Sequence, residues 1–276
     1  QIYEYVKEQG KALKKEAMNL STSATKTLLE KGILEEIKEE TYRIDEVSII
    51  KTNRVTLTHE QQYVVEKVLK QRHQFIPYLL HGVTGSGKTE VYMHMIEEVL
   101  KDGKEVIVLV PEISLTPQMV SQFKKRFGSE VAILHSRLSD GEKYDEWRKI
   151  ERREVKIAIG ARSAIFAPFT NLGLIIIDEE HSSTYKQENN PRYHTIDIAL
   201  YRAKRYHIPL ILGSATPSIE SYTRARMGIY HLLELKNRIS KHMPKVLLVD
   251  MKEEYRYRNR VFSRILKEKI LDRLER

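Results

Sequence analysis

Residues 78–92 read "YLLHGVTGSGKTEVY". A short apolar run ends in a histidine, and glycines then stand at 82, 85 and 87 ahead of Lys88 and Thr89. Gly82-x4-Gly87-Lys88-Thr89 is the phosphate-binding loop pattern, and its chemistry requires these residue types. Glycines let the backbone fold tightly, so the N–H groups across Gly82, Thr84, Gly85, Ser86 and Gly87 can aim at phosphate oxygens. The helix expected after them, "TEVYMHMIEEVL", adds the partial positive charge of its N-terminus. Lys88 is placed to reach the β and γ phosphates, and the Thr89 hydroxyl to ligate Mg²⁺. The stretch therefore predicts a strand, a nucleotide-binding turn and a helix, which makes ATP the expected ligand.

Outward from it, apolar runs alternate with helical ones: "EVIVLVPE", "VAILHS", "VKIAIGA", "LGLIIIDEE" and "IPLILGSAT". Runs this apolar, separated by helices, indicate a mostly parallel sheet buried on both faces, hence an α/β fold. Upstream lies "LTHEQQYVV", where the Gln61 amide can donate to and accept from an adenine edge. In "LGLIIIDEEH" the strand ends at Asp178, where sheets of this kind place ligand chemistry. Asp178 is the expected holder of Mg²⁺ through water, and Glu179 the group that polarises the attacking water. "LGSATPS", at 212–218, is a further strand end that points the Ser214 and Thr216 hydroxyls toward the same edge.

The first fifty residues read as a small helical unit, with helical periodicity in "IYEYVKEQ", "ALKKEAM" and "STSATKTLLEKG". Ser21 or Ser23 can cap the third helix and Gly32 can end it. The alternating run "ILEEIKEETYRI" follows, with Ile33, Ile37 and Ile44 available to face inward, and the whole predicts a winged helix. Its third helix offers only Lys26 and Lys31, and the unit carries 8 Lys/Arg against 10 Asp/Glu. A structural or protein-contact role is therefore expected of it rather than base reading.

Composition narrows the remaining classes. The 276 residues are 41% hydrophobic with only 12 Gly and 8 Pro, enough to bury proper cores. The absence of cysteine excludes disulfides and thiolate metal sites. The longest apolar runs, such as "VIVLV", fall short of the roughly 18 residues of a membrane span, and no signal peptide is visible, so a soluble cytoplasmic protein is expected. Net charge is +9, and residues 236–276 hold 13 Lys/Arg against 6 Asp/Glu, which points to a polyanionic partner. The chain opens on Gln1 and stops at Arg276 inside a helical pattern, as an excised fragment would.

Taken in order, "GVTGSGKTEVY", "LVPEISLTPQM", "GARSAIFAPF", "DEEH", "KQE", "PRYH" and "LGSATPS" resemble the first motor lobe of the bacterial primosomal replication-restart DNA helicases, of helicase superfamily 2. The resemblance implies a RecA-like ATP-binding lobe over 51–235, a winged-helix domain over 1–50, and a basic connection over 236–276 into a second lobe. It implies a monomeric, nucleoid-associated ATP-dependent motor acting on single-stranded and forked DNA, with single-stranded DNA-binding protein and other primosome proteins as partners. It also assigns "STYKQENNPRYH" (183–194) as a loop that senses single-stranded DNA and relays its presence to Glu179 and His181. Tyr185, Tyr193 and His194 would stack on bases, worth roughly 1–3 kcal/mol per base, while Lys186 and Arg192 would meet phosphates. Arg162 and Ser163 of "GARS" would meet the DNA backbone. Pro191 stands where many relatives carry an aromatic residue, and Thr195-Ile196 where Ala-Arg is frequent. An arginine finger and a zinc module are implied only for parts of the family's chain outside this one. An RNA helicase and a nucleotide-gated assembly platform are the competing readings.

Overall fold

Thr58 opens the α/β unit. Its side-chain oxygen accepts from the Gln61 N–H, and the Gln61 side chain returns to the Thr58 N–H, a reciprocal cap that starts α4 (His59–Lys70). The structure is a computed structural model and describes residues 2–37, 54–240, 246–257 and 261–275. The sheet is built from β1 (Pro77–Gly82), β2 (Glu105–Leu109), β3 (Val131–Leu134), β4 (Ile157–Gly160), β5 (Leu172–Ile177), β8 (Leu210–Ser214) and β9 (His231–Leu235). Its strand order is β3-β4-β2-β5-β8-β1-β9, and every pairing in it is parallel. Two-residue strands β6 (Lys186–Gln187) and β7 (Tyr193–His194) form a separate antiparallel ribbon.

Parallel strands need crossovers, and the connecting helices cover both faces. With α4, α5 (Lys88–Lys101) and α6 (Pro117–Phe127) packs one core, including Val64, Tyr92, Ile96, Phe123 and Ile176. With α7 (Asp140–Glu151), α8 (Thr195–Tyr206) and α9 (Ile219–Arg226) packs the other, including Ile150, Ile175, Ile177, Ala199 and Ala225. All six residues of β5 are buried. Fully burying an isoleucine is worth roughly 1.5–3 kcal/mol, so the Ile175–Ile177 run anchors the strand end from which Asp178 emerges.

The N-terminal unit contains α1 (Ile2–Gln9), α2 (Lys14–Leu20) and α3 (Thr22–Glu30). Ser21 is the cap of α3, its hydroxyl accepting from Ala24 N–H. Thr25 is buried and donates to the Ala17 and Ser21 carbonyls at 2.9 and 2.8 Å, tying α3 to α2. Ile33 and Ile37, expected to face inward, are exposed instead. Ile44 and most of the expected wing lie outside the described residues. At the other end stand α10 (Met251–Arg256) and α11 (Arg264–Leu274). No helix among the described residues is long and apolar enough to cross a membrane.

Candidate functional site

β1 ends at Gly82 and α5 begins at Lys88, so the residues between them form the expected turn at the carboxyl edge of the sheet. Gly85 and Gly87 sit at φ +79° and +78°, backbone that side chains rarely adopt. A Cβ on Gly87 would also lie 2.5 Å from both Gln61 Nε2 and Ile239 Cδ1. The Lys88 side chain is buried and folds back across the loop, its ammonium donating to the Gly82 carbonyl at 2.8 Å. Ser86 Oγ is buried without a hydrogen-bond partner among the described residues. An unsatisfied buried polar group costs roughly 1–3 kcal/mol; a phosphate oxygen seated in the turn would remove that cost. Thr84 is exposed, and Thr89 is half-buried on the first turn of α5.

Gln61 is buried against this turn. Its Nε2 donates to the Ser86 carbonyl at 2.9 Å, and its Oε1 accepts from Thr58 N–H at 2.9 Å. The amide is thus oriented by the helix cap and the loop together, with one N–H and one lone pair left over.

Asp178 leaves β5 with its N–H bonded to the Leu109 carbonyl at 2.8 Å. Its Oδ1 accepts from the Tyr92 hydroxyl at 2.9 Å, so the helix that starts at Lys88 also holds the carboxylate. Gly213 on β8 lies so close that any Cβ there would collide with the Tyr92 hydroxyl. Burial pushes the Asp178 carboxyl above its usual range, and the Tyr92 hydrogen bond and the Lys88 charge pull the other way. Burial likewise pushes the Tyr92 phenol well above its ordinary value, so it stays a donor. Among the described residues no three His, Cys, Asp or Glu side chains gather as a metal cluster. One carboxylate plus the Thr89 hydroxyl is a donor set that suits Mg²⁺, which keeps several waters and takes oxygens from phosphate.

Glu179 turns the chain at φ +48°, an uncommon conformation for a non-glycine residue. Its carboxylate stays about one-third exposed, 3.6 Å from His181 Nδ1. That same nitrogen lies 2.8 Å from Ser214 Oγ, which also accepts from Thr216 N–H at 3.0 Å. The fold thereby brings together Glu179, His181, Ser214 and Thr216 from two strand ends.

Glu180, the third acid of the run, is buried and faces α9. It accepts from Ser218 N–H at 2.7 Å, Ser218 Oγ at 3.0 Å and Ser221 Oγ at 2.8 Å. Ser218 also caps that helix, its hydroxyl accepting from Ser221 N–H. Neither Tyr92 nor Glu180 follows from the sequence pattern, because their partners lie 86 and 38 to 41 residues away.

The loop after His181 needs one correction. Tyr185, expected to offer a face for stacking, is 0% exposed and sits in the core beneath α8. Its hydroxyl donates to the Asp178 carbonyl at 2.6 Å, and its own carbonyl accepts from the buried Thr195 hydroxyl at 2.9 Å. Arg162 is also engaged within the protein, donating to the Thr184 and Lys186 carbonyls at 3.2 and 2.8 Å. His194 caps α8, with Nδ1 accepting from Ile196 N–H at 3.3 Å. Ser163, Lys186 and Arg192 are exposed. Lys186, Gln187, Glu188, Arg192, Tyr193 and His194 line a cleft of about 500 Å³. Half-buried Tyr193 packs edge-on against Phe166, ring centroids 5.1 Å apart. Phe166 is 45% exposed and adds an aromatic surface that no motif singles out.

Residues 58–225 match the DEAD/DEAH box helicase family. The chain is 57% identical to the replication restart protein PriA of Bacillus subtilis (strain 168), across 91% of this chain and 32% of that protein. It is 46% identical to the replication restart protein PriA of Synechocystis sp., across 91% of this chain and 31% of that one. The chain thus spans about a third of the length of these curated relatives. Among solved structures, RecG bound to a three-way DNA junction superposes with a TM-score of 0.51 at 24% identity, over 70% of this chain and 25% of RecG; this likeness concerns the fold alone. With its glycine turn between β1 and α5, its DEEH strand end and a family match over residues 58–225, the protein belongs to the DEAD/DEAH box helicase family.

Proposed function

We propose that this chain is the nucleotide-binding first lobe of an ATP-dependent DNA motor of replication restart, coupling ATP hydrolysis to the grip on a single strand. The observation that carries the reading is the attachment of the 182–194 loop to Asp178 itself, through the Tyr185 hydroxyl.

In this reading the Gly82–Thr89 turn binds the triphosphate. Lys88 exchanges its Gly82 carbonyl for β and γ oxygens, and Ser86 Oγ gains a phosphate partner. Thr89 and Asp178 hold Mg²⁺, which when bound neutralises charge on the β and γ phosphates. Glu179, its carboxylate open to solvent, orients the attacking water and accepts its proton. His181 joins Glu179 to Ser214 and Thr216, which places the 214–218 segment within reach of a change in the nucleotide.

The cleft beside Tyr193 receives the single strand. Lys186 and Arg192 meet its phosphates, and Phe166 with Tyr193 offers an apolar face to a base. Forked DNA, single-stranded DNA-binding protein and other primosome proteins are the partners of the longer protein in this proposal. Anisotropy titrations of labelled single-stranded DNA and RNA test the interface. Replacing Lys186 and Arg192 by alanine should weaken DNA binding and reduce the salt slope by about 0.7 per phosphate contact removed. Unchanged DNA affinity and slope would remove the proposed interface, and tighter binding of RNA would reassign the motor to RNA.

A further inference from the structure

The chain that leaves β9 is stitched to the nucleotide turn. Val83 N–H donates to the Leu235 carbonyl at 3.2 Å, and Ile239 N–H donates to the Gly85 carbonyl at 3.0 Å. Between them Asn237 grips Glu60 on α4, through its Nδ2 at 2.6 Å and its N–H at 3.3 Å. The five residues 235–239 therefore form a strap across one side of the loop. The Ile239 side chain ends beside Gly87 and shares that position with the Gln61 amide, since both would crowd a Cβ placed there. Yet Ile239 is 60% exposed. It is an apolar side chain held by its backbone at the rim of a polar site, with its outer surface uncovered.

Sheet topology says which end of a nucleotide meets it. Strands run β5-β8-β1-β9, so the turn after β1 has Asp178 and Glu179 on its β5 side and the strap on its β9 side. A triphosphate whose γ end lies toward the acids must carry its nucleoside toward β9. On that side, among the described residues, Gln61 and the strap border the turn. Gln61 keeps one donor and one acceptor free, which fits the edge of a purine but supplies no apolar surface for its ring.

We infer that Ile239 is the apolar wall of the base subsite, and that the strap from β9 completes the nucleotide pocket of this lobe. The inference rests on the reading of the Gly82–Thr89 turn as a nucleotide site. Ile239 acts on the nucleoside and not on the phosphates, so the two parts of the ligand separate its role from that of the turn.

Calorimetric titration of the chain with Mg·ATP and with Mg·tripolyphosphate tests it. Ile239→Ala should weaken Mg·ATP by about 5–10-fold, the scale of losing a partly covered branched side chain from a binding contact. Tripolyphosphate affinity should stay unchanged, and Ile239→Val should recover most of the ATP affinity. Because the side chain is largely exposed, the substitution leaves the core and the backbone hydrogen bond to Gly85 in place. Unchanged or tighter ATP binding by Ile239→Ala overturns the inference, as does an equal loss for both ligands, which would mean that the residue acts only through the loop. If the unsubstituted chain bound tripolyphosphate but gained nothing from the nucleoside, the inference would fail while the phosphate site stood. If it bound neither, the nucleotide reading itself would fail.

Discussion

The Tyr185 hydroxyl donates to the Asp178 carbonyl at 2.6 Å, so the first aromatic of the loop is fastened to the residue proposed to hold the metal. Any displacement of the loop that moves Tyr185 pulls on the backbone of the strand end. Tyr185→Phe keeps the buried ring and removes only this bond, costing about 0.5–1.5 kcal/mol of stability. Tyr185→Ala empties a core position and should cost about 3–5 kcal/mol, on the scale of aromatic-to-alanine truncations. Chemical denaturation reads both. Oligonucleotide binding by Tyr185→Phe should match the parent chain, because a buried ring stacks on no base; a large loss of affinity would return Tyr185 to the surface role expected from the sequence.

Lys88 is buried, with its ammonium on the Gly82 carbonyl. Lys88→Ala should leave a folded chain with nucleotide affinity lowered about 10- to 100-fold, the worth of one or two charge-assisted hydrogen bonds. Calorimetry checks it, and retention of full ATP affinity would contradict the assignment of the turn.

Asp178 and pH are linked with a definite sign. Its folded pKa is raised by burial, so the unfolded chain gives up this proton first as pH rises. The group therefore subtracts nothing in strong acid, begins to subtract stability as pH climbs through the ordinary aspartate range, and subtracts most above its raised folded value. Asp178→Asn, which can still accept from Tyr92, should melt higher than the parent chain at neutral pH without Mg²⁺. That advantage should vanish in strong acid, and Mg²⁺-dependent nucleotide binding should weaken. Equal melting temperatures at neutral pH would contradict the burial argument.

Glu179 and Glu180 are neighbours in opposite environments, one about a third exposed and the other buried. Glu180→Ala strips the Ser218 and Ser221 donors of their acceptor and should cost about 1–3 kcal/mol in denaturant unfolding, the scale of orphaning the one buried donor, Ser221 Oγ. Glu179→Gln, on a side chain open to solvent, should change stability by less than about 0.5 kcal/mol and keep nucleotide affinity. The reverse ranking would exchange their roles.

These contrasts mark what could be read from the sequence. Six strands of the main sheet were legible because each is an unbroken apolar run between helical segments. The seventh, "HLLEL" at 231–235, alternates on an edge and lacks that signature. The position of the glycine turn between β1 and α5, and of the acids at the end of β5, was legible because the motif fixes residue type and local spacing. Tyr185 was misplaced because proximity in a polar loop does not say which face of the chain a ring takes. What buries it is Thr195 and the packing of α8, ten residues later. Glu180 looked like one more acid in a row, since Ser218 and Ser221 meet it only in the folded sheet.

The central claim is that the nucleotide pocket and the nucleic-acid cleft are linked through the loop rooted at Asp178. The most direct measurement is the affinity of this chain for Mg·ATP with and without a saturating single-stranded oligonucleotide, repeated in Tyr185→Phe. Linkage predicts a change of about 5- to 150-fold in the parent chain, mirrored by an equal effect of ATP on oligonucleotide affinity, and a smaller one in Tyr185→Phe. Identical ATP affinities in the presence and absence of the oligonucleotide would contradict the account.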